Sequence, residues 1–89
     1  PDDAVTREQM ATLLYRYGEF KGYDLSGAAD FSSFRDAGLV SDWAADAIAW
    51  AVHAGILQGD DNNQLLPLDS ATRAEVATLL QRFLEYYAA

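Results

Sequence analysis

The chain has 89 residues, 51% of them hydrophobic, and a formal net charge of −8. That is enough for one small folded domain, and the acidic balance argues against a nucleic-acid binder or an anionic-membrane binder, both of which need a basic face, while leaving room for an acidic partner at a local cluster of Arg or Lys. The absence of cysteine excludes a disulfide framework, a zinc-thiolate site and a cysteine nucleophile, and no apolar run approaches the ~20 residues that cross a bilayer.

The chain opens on PDDAVTREQMATLLYRY and nearly ends on a second copy, PLDSATRAEVATLLQRF. Pro1 aligns with Pro67, an offset of 67 − 1 = 66, and roughly half of the first seventeen positions then coincide. Thr6 falls on Thr72, Arg7 on Arg73, Leu13 and Leu14 on Leu79 and Leu80, and Arg16 on Arg82. A repeat of this kind implies stacked units that cannot each bury their apolar face alone. The chain divides into the C-terminal half of one unit at 1–18, a connector at 19–30 punctuated by Gly22, Ser26 and Gly27, and a complete unit at 31–87. Its first residues carry no initiator Met and no signal-peptide pattern, so it is expected to be part of a longer protein.

The first helix is expected near 6–18. Thr6 with Gln9, three residues on, forms the amide version of a capping box. The second helix, near 42–54, lies in SDWAADAIAWAVHAG. Ser41 suits the N-cap, Gly55 suits the position after the C-cap, and Trp43, Ala47, Trp50, Ala51 and Ala54 recur at helical spacing. Core packing is expected for at least one of the two tryptophans. Asp36, following Phe34, fits a turn or cap role better than a ligand contact. Between the helices, GILQGDDNNQLLPLDSA is turn-rich, and Asn62 and Asn63 can take left-handed conformations there. This stretch fails as a calcium loop, because Leu65 and Ala71 stand where such a loop needs Gly and Glu. The third helix, near 72–86, starts at a second capping box, Thr72 with Glu75. Val76, Leu79, Leu80 and Phe83 form its apolar stripe. His53, the single histidine, reads as a surface or helix-end residue, and no catalytic constellation, metal set or cofactor motif is visible.

The caps explain Thr6, Gln9, Thr72 and Glu75 but not the arginines. Arg7 and Arg73 sit at the positive end of a helix dipole, where a cation is mildly unfavourable. Two uses fit: an internal ion pair, with Glu8 the nearest candidate partner for Arg7, or an external anion held by the guanidinium fork.

The run FRDAGLVSDWAADAIAWAVHAGILQGDDNNQLLPLDSATRAEVATLLQRF resembles an S-layer homology repeat. Phe34, Asp36, Trp43, Ala44, Ile48, Gly55, Ile56, Gly59, Pro67 and Thr72 to Glu75 match the family pattern in order. Asn62 to Leu65 depart from the usual Asp-Gly-aromatic, and Glu8-Gln9 replace Ala-Glu in the first copy. The resemblance implies an all-α fold of S-layer-homology-type repeats, part of a pseudo-threefold helical bundle. It implies a non-catalytic anchoring module, extracellular at the bacterial cell wall or S-layer. Its partners would be an acidic, pyruvylated cell-wall polysaccharide and further repeats, in the parent chain or in other copies. Carried over, Arg7 and Trp43 would border one groove, with Asp36 and Arg73 as further carbohydrate-binding positions and Arg73 facing another repeat. A protein-interaction or oligomerisation module is the alternative.

Overall fold

The computed structural model describes residues 5–88, so the Pro1 and Asp3 end of the repeat lies outside the described residues. Three α-helices carry the fold: α1 (Arg7–Lys21), α2 (Ala45–His53) and α3 (Arg73–Ala88). Strands are absent from the described residues; an isolated antiparallel bridge joins Thr6 to Ser70. The all-α expectation holds.

Local chemistry sets the helix ends. Both capping boxes form. The Gln9 amide donates to the Thr6 hydroxyl at 3.2 Å and the Thr6 amide to the Gln9 side chain at 2.8 Å. The Glu75 amide donates to Thr72 at 3.1 Å and the Thr72 amide to Glu75 at 2.8 Å. At the other end α1 runs three residues into the predicted connector and stops at Gly22, whose φ of 76° is left-handed. The Tyr23 amide reaches back to the Gly18 carbonyl at 2.9 Å and that of Gly22 to Glu19 at 3.1 Å, which satisfies two carbonyls the helix leaves open. Gly55 closes α2 the same way, with Ile56 donating to Ala51 at 2.9 Å.

The predicted second helix differs at its start. A tight 3-10 turn, Asp42–Ala44, leads into α2. Ser41 occupies the N-cap position but makes no cap bond with its side chain; its amide and hydroxyl both donate to the Glu8 carboxylate, at 2.9 and 2.6 Å. Glu8 is therefore buried and anchors the entry to α2, where a negative charge suits the helix dipole.

The core is an alanine-lined seam with aromatic bulk at its end. Ala44, Ala47, Ile48 and Ala51 of the second segment are buried, as are Met10, Ala11 and Leu14 of α1. The alanines let α2 lie close to α1, while Trp50 spans the gap to α3. Its ring meets Tyr15 edge-on at 5.5 Å and Phe83 at 6.0 Å, and its indole N–H donates to the Tyr87 hydroxyl at 2.7 Å. That hydroxyl donates in turn to the Asp24 carbonyl at 3.1 Å, so one polar chain ties α2, α3 and the connector. Burial raises the Tyr87 phenol above its ordinary pKa.

Candidate carbohydrate-binding groove

The two helix heads meet because the loop before α3 pairs with the start of α1. The amides of Arg7 and Glu8 donate to the carbonyls of Asp69 and Pro67, each at 3.0 Å, and the Ala71 amide donates to Val5 at 2.7 Å. These bonds satisfy first-turn donors of α1 that have no partner within the helix. They also bring Arg7 to Glu75, with which it forms a salt bridge. Glu75 thus serves two heads: one oxygen completes its own capping box and the other accepts from Arg7. The internal partner of Arg7 is Glu75, 68 positions away, and not the adjacent Glu8.

Arg7 and Glu75 form one wall of a groove of about 320 Å³. Thr78 and Arg82 of α3 continue it, and Gln58 and Asp60 face them from the loop. Two guanidinium groups therefore line one depression on an acidic molecule. Arg82 is held by a bond from one terminal nitrogen to the Ile56 carbonyl at 3.1 Å. The Arg7 Nε–H is buried and has no acceptor. A buried donor without a partner is costly.

The loop wall is fixed from below. A side chain at Gly59 would place its Cβ 2.4 Å from the Phe34 ring, so glycine lets the loop close onto that aromatic. Two residues on, the buried Asp36 accepts from the amides of Leu65 and Leu66 at 2.9 and 2.8 Å. This holds Leu66 at a left-handed φ of 53°, which an apolar residue seldom adopts. Asn63 is also left-handed, at 59°, and its side-chain amide donates to the Ser33 carbonyl at 3.0 Å. Both carboxylate oxygens of Asp36 are thus engaged in shaping the loop.

The remaining expected positions stand apart. Trp43 is 59% exposed, whereas Trp50 is 2% exposed and supplies the core indole. Trp43 borders a different depression, between Thr12, Arg16 and Glu19 of α1 and Asp46 at the start of α2. Among the described residues Arg7 and Trp43 thus line two different depressions. Arg16, beside Trp43, lies nine residues beyond Arg7, which is roughly 13 Å along the helix. Arg73 is exposed at the head of α3 and makes no ion pair among the described residues. His53 is the exposed last residue of α2, and no group of metal-ligating side chains occurs among the described residues. Sequence reasoning missed Arg82, Gln58 and Asp60. The signal for Arg82 was its recurrence at the position of Arg16.

Residues 33–77 match the model of the S-layer homology domain. The chain belongs to the S-layer homology domain family. Curated proteins similar to it include an amylopullulanase of Thermoanaerobacterium thermosulfurigenes, 35% identical over 85 residues. They also include the surface-layer 125 kDa protein of Lysinibacillus sphaericus and a cellulosome-anchoring protein of Acetivibrio thermocellus, each 31% identical. Each of these matches covers 96% of the chain, but the chain spans 5%, 7% and 19% of the three relatives respectively. No solved structure matches it. Among the described residues, no helix of this S-layer homology chain is long and apolar enough to cross a membrane.

Proposed function

We propose that this chain is a non-catalytic anchoring module of the bacterial cell surface. In this reading it holds an acidic cell-wall polysaccharide, one bearing pyruvate ketals, in the groove between Arg7 and Arg82. The family membership supports surface anchoring, as do relatives whose names are those of a surface-layer protein and a cellulosome-anchoring protein. Other relatives are named as glycan-degrading enzymes, and the chain spans only 5% and 8% of two of them, which suits a module distinct from their catalytic parts.

The observation that carries the ligand reading is the pair of guanidinium groups, Arg7 and Arg82, that line one groove on an acidic chain. A pyruvyl carboxylate accepts from their terminal N–H groups, and charge-assisted bonds of this kind are the stronger ones. Gln58 and Thr78 bind sugar hydroxyls, while Asp36 acts indirectly by shaping the loop. If 1–18 and 31–87 are successive repeats, this groove lies between them, and Arg73 heads the next groove in line. Exposed Leu13 and Tyr17 on α1, and Leu80 and Leu84 on α3, are the faces on which further repeats pack. The same apolar faces favour the second reading, an oligomerisation module.

Retention on purified wall polysaccharide, with and without its pyruvyl groups, separates the readings. The chain should be retained by the ketal-bearing polymer and lost when the ketals are removed. Equal retention of both, or of neither, overturns the acidic-glycan reading; apolar self-association in its place would favour the second.

A further inference from the structure

An indole left in water forgoes the burial that makes tryptophan a core residue. Trp43 does so beside a depression of about 220 Å³ that is rich in polar side chains. Among the described residues, Arg16, Glu19 and Asp46 make no side-chain hydrogen bond or ion pair. The Thr12 hydroxyl donates to the Glu8 carbonyl at 2.8 Å and keeps its lone pairs for a further donor. An exposed aromatic face is thus ringed by a guanidinium fork and two carboxylates that no described residue engages, and by a hydroxyl whose lone pairs are free.

The repeat supplies an independent observation. Thr12, Arg16 and Glu19 fall on Thr78, Arg82 and Glu85 at the 66-residue offset. Thr78 and Arg82 line the Arg7 groove, and Arg82 and Glu85 line a neighbouring depression. The same side-chain row therefore borders a depression on each copy of the helix. The charge differs. The Arg7 groove balances Arg7 and Arg82 against Glu75 and Asp60, whereas the Trp43 depression sets Arg16 against Glu19 and Asp46. An anion is repelled at the second site. A neutral pyranose fits its chemistry: the C–H face stacks on the indole, and ring hydroxyls donate to the carboxylates and accept from Arg16.

The geometry points to a neutral-sugar subsite on Trp43, separate from the Arg7 groove and independent of the acidic-glycan reading. Nuclear magnetic resonance of the 15N-labelled chain resolves two indole N–H signals, and Trp43→Ala identifies the Trp43 signal by its loss. Cellotetraose, a neutral β-linked probe, should move the Trp43 signal and leave that of Trp50, which is tied to Tyr87, in place. Sodium pyruvate should not move the Trp43 signal. Arg16→Ala should weaken cellotetraose binding about ten-fold, with an unchanged Trp50 signal reporting that the variant folds. A Trp43 signal that ignores cellotetraose, or a binding curve unaltered by Arg16→Ala, overturns the proposal. So does a Trp43 signal that moves with protein concentration alone, which would assign the indole to a contact between copies.

Discussion

Helices α1 and α3 carry nearly the same sequence and bury different sides of it. In α1 the covered residues include Met10, Ala11, Leu14 and Gly18, against the segment that leads into α2 and α2 itself. In α3 they are Leu79 and Phe83, the latter edge-on to Trp50. Their counterparts in α1, Leu13 and Tyr17, are exposed, as Leu80 is in α3 where α1 buries Leu14. One apolar stripe thus serves two interfaces: α1 turns one side of it to α2, and α3 turns another to Trp50. A stripe wider than a single contact is the sequence sign of such a two-sided helix.

Equivalent substitutions in the two copies test this directly. The largest contrast is at the aromatic position. Phe83→Ala should cost ~3–5 kcal/mol in denaturant unfolding, while Tyr17→Ala, which loses an edge contact at a half-exposed site, should cost under ~1 kcal/mol. Equal costs would show that α1 and α3 are packed alike.

The next contrast is polar. Glu8 is buried against Ser41, and Ala74, its counterpart, is exposed. Glu8→Ala should cost about 2 kcal/mol by leaving the Ser41 amide and hydroxyl unpaired. Ala74→Glu should change stability by less than about 0.5 kcal/mol. A costless Glu8→Ala would remove the anchor assigned to the start of α2.

The caps should behave alike. Thr6→Ala and Thr72→Ala should each lower stability by ~1 kcal/mol, since both boxes form with similar geometry. Loss of glycan binding without loss of stability in Thr72→Ala would make Thr72 a ligand contact instead of a cap.

The smallest effect concerns the helix ends, where Tyr87 of α3 stands opposite Lys21 of α1 in the alignment. Burial raises the Tyr87 pKa above 10.0, so the folded state keeps this proton after the unfolded chain releases it. The stabilisation is complete below pH 10 and declines as pH rises through the folded value. The melting temperature should fall on that alkaline limb, and Tyr87→Phe should remove part of the fall. An unchanged limb in the variant would assign the decline to other groups.

The elements that sequence made legible are those set by neighbours in the chain. Both capping boxes, the glycine stop at Gly55 and the left-handed Asn63 depend on contacts within a few residues; the first helix was expected to end at 18, short of its stop at Gly22. The family pattern added the family itself, which the match over residues 33–77 shows. What stayed hidden depends on distant partners. Glu75 was explained as a cap, so nothing local marked its second oxygen as the partner of Arg7. Glu8 read as the nearest partner for Arg7, and nothing local marked it as the acceptor for the distant Ser41. Trp43 and Trp50 share one helical pattern, and only the placement of α1 and α3 decides that Trp50 is enclosed and Trp43 is not. Arg7 and Trp43 were separated for the same reason: they flank different parts of a long helix.

The central claim is that Arg7, held at one edge by Glu75, offers its remaining donors to an acidic glycan. Calorimetric titration of the wild type, Arg7→Ala and Arg7→Lys with ketal-bearing wall polysaccharide tests it most directly. Arg7→Ala should lose roughly ten- to a hundred-fold in affinity, and Arg7→Lys should recover only part of it, because an ammonium cannot form the fork. Equal affinity of wild type and Arg7→Ala would contradict the claim and leave Arg7 as an internal ion pair that joins the two helix heads.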